Sequence, residues 1–335
     1  MMSSEISSGG ETSSGDQRRE ALGRWLAPIL PCGFTLAPAS ADASFRRYFR
    51  ATLADGSTYV AMDAPPGQED CGPFVHVGRL LREAGVHAPE VIAQDLARGF
   101  LLLADLGTRT YLEALDEANA PRLFADAIDA LIRWQLATRA GELPPYDEAL
   151  LRREMSLFPD WYLSRHRRRA PDAASRATLE SVFTALVRSA LGQPKVYVHR
   201  DYMPRNLMLS EPNPGVLDFQ DAVHGPITYD VVSLFRDAFL SWPEDKVLDW
   251  TVRYWEKAKR AGLPVDADFG EFWRSLEWMG LQRHLKVLGI FARIHYRDGK
   301  PKYLADTPRF IAYAQDVARR YRELAPLLPL LEEEA

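Results

Sequence analysis

The chain has 335 residues, 47% of them hydrophobic and 26% charged, with a formal net charge of -5. That is enough for two lobes with their own cores, and the acidic balance excludes the broad positive field on which non-specific nucleic-acid binding depends. Two cysteines, Cys32 and Cys71, have no Cys or His at ligand spacing beside them, which excludes a disulfide framework or zinc cluster and reads as reduced thiols.

Residues 1–17 are rich in Ser and Gly and carry no apolar run, so they lack the core of a secretion signal and read as a disordered tail. Nothing in the chain approaches the ~18 uninterrupted apolar residues of a membrane span. A cytoplasmic, monomeric protein without membrane or nucleic-acid partners is expected.

The spacing predicts a helix over Arg18–Leu30. Phe45–Met62 alternates and breaks at Asp55-Gly56, the signature of a two-stranded hairpin. Phe74–Glu83 has helical spacing and stops at Gly85, and Glu90–Leu103 reads as a second hairpin turning near Arg98-Gly99. The apolar run Phe100–Leu103 leads through Ala104-Asp105-Leu106 to Gly107, where a lobe boundary is expected. Residues 18–106 would then form one lobe and 107–335 the other. From Tyr111 to Ala190, and again from Val231 onward, the pattern is helical, with only Val196–Phe219 strand-like in this half.

The strand-like stretch holds the densest chemistry: His199-Arg200-Asp201-Tyr202-Met203-Pro204-Arg205-Asn206, followed twelve residues after the Asn by Leu217-Asp218-Phe219. An Asp, an Asn five residues later and a second Asp on the next strand match the catalytic loop and metal-binding segment of kinases. Phosphoryl transfer needs an aligned acceptor oxygen and neutralised phosphate charge. Asn206 and Asp218 offer the hard oxygen ligands that Mg²⁺ takes, and Asp201 remains to orient the acceptor and take its proton. Alone, each of these polar residues reads equally well as a turn former. Together, at these offsets between apolar strands, they read as a site.

At these residues the chain resembles the aminoglycoside phosphotransferase family, over about residues 20–330. The resemblance implies an α+β, two-lobed protein-kinase-like fold, with an antiparallel-sheet lobe that binds ATP and a mainly helical catalytic lobe. Longer stretches, among them Arg153–Leu163, Gly215–Ala222, Gly225–Asp230, Ser233–Asp237, Gln282–Lys286 and Arg297–Lys300, look like family members that act on amino sugars. They imply transfer to the C1 hydroxyl of N-acetylmuramate and N-acetylglucosamine in cell-wall recycling. Family members with aminoglycoside or amino-alcohol acceptors, and a catalytically dead ATP-binding module, are the alternatives. The few residues between Asp218 and Gly225-Pro226 leave no room for a protein kinase's activation segment.

The chain also departs from the kinase pattern. Val60-Ala61-Met62-Asp63 has no Lys where the third strand should carry one, and no lysine precedes Lys195. Arg46, Arg47 and Arg50 lie where the phosphate loop should be, so either one or more of them grips phosphate or they form a solvated basic strand. The chain at Asp105-Leu106 is expected to meet the adenine through backbone groups, with the Asp105 side chain either at the nucleotide or capping the next turn. Asp230 is expected to brace the catalytic loop. Arg165, Asp221, Arg236 and Asp237 are candidate sugar contacts; Arg165 belongs to a basic run that reads equally as a solvated helix end.

Overall fold

The computed structural model describes residues 10–30, 33–40 and 45–332. A five-stranded antiparallel sheet comes first, made of β1 (Phe34–Ser40), β2 (Arg47–Leu53), β3 (Thr58–Asp63), β4 (Val91–Asp95) and β5 (Phe100–Ala104), in the order β1-β2-β3-β5-β4. Both expected hairpins are present. Gly56, at φ +85°, turns β2 into β3 while the Asp55 carboxylate accepts the Ser57 N–H at 2.9 Å. Gly99, at φ +71°, turns β4 into β5.

Successive side chains of a strand point to opposite faces, so a strand covered on both sides must be apolar throughout. In β5, Phe100 and Leu102 pack with Leu22 and Leu26 of α1 (Gly10–Leu26), and Leu101 and Leu103 pack with Phe74, Val77 and Leu81 of α2 (Gly72–Glu83). This explains the unbroken apolar run.

Two features differ from expectation here. Residues 10–17, expected to belong to the tail, have helical backbone, because extending a helix already anchored by Leu22 and Leu26 adds a hydrogen bond per residue without a new nucleus. Residues 1–9 and Cys32 lie outside the described residues; Cys71 is a buried free thiol. The strand β1 was not legible because it contains Pro38, which a sheet tolerates at an edge and beside the register shift seen between Pro38 and Ser40.

The second half is mainly helical, as expected: α3 (Tyr111–Ala114), α4 (Ala120–Leu136), α5 (Glu148–Met155), a π-helical segment Phe158–His166, α6 (Ala173–Gly192), α7 (Tyr229–Phe235), α8 (Glu244–Arg260), α9 (Phe269–Asp298), α10 (Thr307–Arg320) and α11 (Leu328–Leu331). Two small sheets interrupt it. In one, β6 (Lys195–Val198) pairs with β9 (Val223–Pro226); in the other, β7 (Leu207–Met208) pairs with β8 (Gly215–Val216). The strand β9 lies beyond the expected strand-like stretch. Gly225 sits where Tyr146 packs so closely that a Cβ would lie 2.8 Å from the Tyr146 Cβ.

The long helix α9 runs through the middle of this lobe, with Leu281, Leu285, Leu288 and Ala292 fully buried. It passes so close to the turn before the π-helical segment that a Cβ on Gly289 would lie 2.3 Å from the Leu157 carbonyl carbon. Among the described residues no helix is long and apolar enough to cross a membrane. Gly289→Ala is expected to cost roughly 1–3 kcal/mol of stability by forcing α9 away. Urea unfolding reads this as a lower midpoint, and an unchanged midpoint contradicts the close approach.

Candidate active site

Between β6 and β7 the chain makes a loop closed by a 3₁₀ turn, Pro204–Asn206. The buried Asp230 carboxylate, at the start of α7, accepts the N–H of His199 at 2.7 Å and of Arg200 at 3.0 Å. Arg200 takes φ +75°, a left-handed conformation that costs an arginine on the order of 1–3 kcal/mol and persists only where the surroundings impose it. Tyr202 fixes the other side of the loop by donating from its hydroxyl to the Ala127 carbonyl of α4 at 2.8 Å. Burial pushes the Asp230 carboxyl up to about 7 against the pull of its two N–H donors. Burial also brings His199 down to about 4, so its neutral Nδ1 is free to accept the Asp201 N–H at 3.3 Å.

The three residues singled out in the sequence meet. Asn206 Nδ2 donates to the Asp201 carbonyl at 2.9 Å and reaches Asp218 Oδ2 at 3.4 Å. The Leu217 N–H donates to the Asn206 carbonyl at 2.9 Å, which places Asp218 beside the loop. Asp218 also has a left-handed backbone, φ +63°, and its Oδ1 accepts from Gln220 Nε2 at 3.0 Å. Next to it, Phe219 packs against Phe74 of α2, with centroids 4.7 Å apart and ring planes tilted by 36°, tying Asp218 to the sheet lobe.

The Asn206 amide carries an oxygen as well as the nitrogen that bonds the loop, and that nitrogen lies 3.4 Å from the Asp218 carboxylate. Among the described residues no group of three or more His, Cys, Asp or Glu forms a metal cage. One amide and one carboxylate fit Mg²⁺, which keeps water and phosphate oxygens in its octahedron and seldom uses an all-protein cage.

Beneath the loop lies a network that sequence reading missed. Glu154 of α5, 5% exposed, accepts from Arg200 Nη2 and the Tyr146 hydroxyl, from Lys286 Nζ at 3.1 Å and from Gln282 Nε2 at 3.3 Å. Lys286 donates to the Tyr229 hydroxyl at 3.0 Å as well. Burial raises the Glu154 carboxyl, but the Lys286 ammonium and Arg200 guanidinium outweigh it and bring it down to about 2. The available signal was a Glu between Leu151 and Met155, both fully buried in α5.

In the sheet lobe the three arginines have different partners. Arg46 pairs with Glu69 just ahead of α2 at 2.9 Å. Arg47 joins Arg18 on the fully buried Asp63, so the strand that carries a lysine in protein kinases ends here in an acid holding two guanidinium groups. Arg50 forms a two-point pair with Asp105, at 2.5 and 3.1 Å, and donates to the Gly107 carbonyl at 2.9 Å. Asp105 accepts the Gly107 N–H at 3.0 Å, the turn-capping role, and Leu106 is buried against the site of Gly215.

The candidate sugar contacts separate. Arg236 is buried between Glu277 at 3.5 Å and Glu244 at 3.6 Å, with the rings of Trp273 and Tyr313 over its guanidinium, so helix packing already accounts for it. Arg165 is exposed at the end of the π-helical segment. Asp221 is exposed and its carbonyl takes Arg200 Nη1 at 3.3 Å. Asp237 is buried; burial pushes its carboxyl up to about 6 against the pull of Arg283, and Arg283 Nη2 in turn lies 4.0 Å from Met203 of the catalytic loop.

The sequence pattern described as the phosphotransferase enzyme family matches residues 35–268. The N-acetylmuramate/N-acetylglucosamine kinase of Pseudomonas aeruginosa is 57% identical over 329 residues, 95% of this chain and 97% of its own. The kinases of the same name from Pseudomonas putida, at 58% over 91% of this chain and 89% of that one, and Neisseria meningitidis serogroup B, at 50% over 95% and 96%, are similar too. The fold is shared with an ADP-bound aminoglycoside phosphotransferase (TM-score 0.60, 12% identity, 89% of this chain and 98% of that one). It is shared also with a Plasmodium vivax ethanolamine kinase (TM-score 0.61, 10% identity, 92% and 89%).

A carboxyl lowered in the folded state stabilises above its unfolded pKa, and that contribution is lost as the pH falls toward the folded value. For Glu154, lowered from 4.5 to about 2, it amounts to roughly 3 kcal/mol. Glu154→Gln is expected to be less stable than the unaltered chain near neutral pH. The gap, followed by urea unfolding, should narrow steadily from about pH 5 downward, and a pH-independent gap contradicts the ionised network.

Proposed function

Because this chain belongs to the phosphotransferase enzyme family and is an ATP-dependent kinase, we propose that it phosphorylates the C1 hydroxyl of N-acetylmuramate and N-acetylglucosamine, returning cell-wall amino sugars to use as 1-phosphates. The observation that carries the reading is the Asn206 amide, which joins the Asp201 loop to Asp218 in one cluster. The extent of likeness to three amino-sugar kinases supports the choice of acceptor.

In this reading Asp201 accepts a hydrogen bond from the acceptor hydroxyl and takes its proton as the oxygen attacks. The new bond forms between the acceptor oxygen and the γ-phosphorus, the bond to the bridging oxygen breaks, and ADP leaves with that electron pair. An anomeric hydroxyl is more acidic than an ordinary alcohol, so a carboxylate suffices as its partner. Mg²⁺, when bound, neutralises charge on the phosphate oxygens; Asn206 Oδ1 and the Asp218 carboxylate are the groups that hold it.

The backbone of Ala104–Leu106 faces the adenine, with Leu106 as an apolar wall. Arg46, Arg47 and Arg50 are the candidates for the phosphates, each of them also paired with a carboxylate, Glu69, Asp63 and Asp105, and through those pairs they shape the loop and the hinge around the nucleotide. Asp237, near the catalytic loop, is the best-placed of the candidate sugar contacts, with Asp221 beside it at the surface and Arg165 farther out. The enzyme works as a cytoplasmic monomer on small molecules.

Labelled γ-phosphate of ATP offered with a panel of acceptors tests the reading. Label should pass to both amino sugars, not to their methyl glycosides, whose C1 oxygen is blocked, and not to aminoglycosides or choline. Label on a methyl glycoside refutes C1 transfer. Asp201→Ala should lower kcat by about 10²- to 10⁴-fold. At least one of Arg46→Ala, Arg47→Ala and Arg50→Ala should raise KM for ATP, and an unchanged KM in all three removes these arginines from the phosphate site.

A further inference from the structure

The phosphoryl-transfer reading leaves the Glu154 network without a task. Each ion taken out of water costs several kcal/mol, and a buried ion pair recovers that cost only with close geometry and further hydrogen bonds. Three such ions meet here, one of them the residue next to Asp201. A well-packed apolar cluster would serve stability equally well, so the arrangement calls for a role in position.

Arg200 is gripped at both ends. Its N–H ends on Asp230 at 3.0 Å, and its guanidinium ends on Glu154, with Nη1 on the Asp221 carbonyl at 3.3 Å and the Tyr146 ring 6.0 Å from its carbon centre. Its left-handed backbone, φ +75°, is relieved if the side chain lets go. Rotation about residue 200 swings the next peptide, and with it the Asp201 carboxylate. Glu154 comes from α5 and Lys286 from α9, so the anchor is set by helix packing in the catalytic lobe.

We propose that Glu154 is a positioning residue for the transfer: by holding the Arg200 guanidinium it sets the direction from which the Asp201 carboxylate meets the acceptor hydroxyl. Lys286 keeps Glu154 ionised and in place for that purpose. The anion that this arginine needs is built into α5, so the loop is assembled without any added charge such as a phosphoryl group. The inference rests on Asp201 as proton acceptor.

A double-mutant cycle on kcat with N-acetylglucosamine tests it, using Glu154→Gln, Asp201→Asn and the two together. Glu154→Gln is expected to lower kcat by about 10- to 100-fold, the cost of a misplaced catalytic group, with KM for ATP unchanged. The double variant should be no slower than Asp201→Asn alone, because Glu154 acts through Asp201. Multiplying losses in the double variant, or an unchanged kcat in Glu154→Gln, overturns the inference. If Glu154→Gln does not fold, Arg200→Met replaces it in the same cycle, since Lys286 still pairs Glu154 there; Arg200→Lys should recover part of the rate. A near-normal rate in Asp201→Asn instead refutes the proton-acceptor role itself, a result separate from failure of the Glu154 arm.

Discussion

Two peptide N–H groups, those of His199 and Arg200, end on one buried carboxylate, Asp230. That pair of bonds bends the chain so that consecutive side chains leave it in different directions. Arg200 runs down to Glu154 inside the helical lobe, and the Asp201 backbone turns to receive Asn206. An ordinary strand-to-strand connection would leave these donors to solvent; here the acid that takes them belongs to the first turn of α7. The conformation of the Asp201 loop is therefore a product of where α7 packs, and α7 packs closely on α9, where a Cβ on Gly280 would lie 2.9 Å from Val232.

The same logic orders the two lobes. The sheet is closed on one face by α1 and on the other by α2, and α2 meets the segment that carries Asp218 through Phe74 and Phe219. Gly78 of α2 is part of that contact, since a Cβ there would come within 3.2 Å of the Phe219 ring. From the other edge Arg50 reaches the segment joining the lobes and holds Asp105 and Gly107. The sheet lobe thus meets the helical lobe at two places: the tilted Phe74–Phe219 ring pair beside Asp218 and the Arg50–Asp105 ion pair.

Much of this was legible in the sequence wherever the causes are local. Asp55-Gly56 and Arg98-Gly99 mark turns because a glycine with positive φ has a chemical signature, and Asp201, Asn206 and Asp218 stand out because their offsets match what phosphoryl transfer requires. What escaped depends on partners far along the chain. The carboxylates that pair with Arg46, Arg47 and Arg50 lie 23, 16 and 55 residues away, and no spacing rule links them. Glu154 looked like any helical glutamate; its weight comes from Arg200 and Lys286, brought to it by the packing of α5 against α9. The strand β1 was hidden by a proline that only an edge position permits.

No lysine stands in the phosphate loop or in the third strand, and the charges there are arranged otherwise. An acid, Asp63, stands at the strand's end and organises two arginines, and a third arginine meets Glu69 ahead of α2. The most direct test of the account is a crystal structure with a non-hydrolysable ATP analogue, Mg²⁺ and N-acetylglucosamine. The account predicts the C1 hydroxyl within about 2.6–3.2 Å of an Asp201 carboxylate oxygen, with the metal on Asn206 Oδ1 and Asp218. An acceptor whose C1 hydroxyl faces another residue, or a metal bound without Asn206 and Asp218, contradicts it.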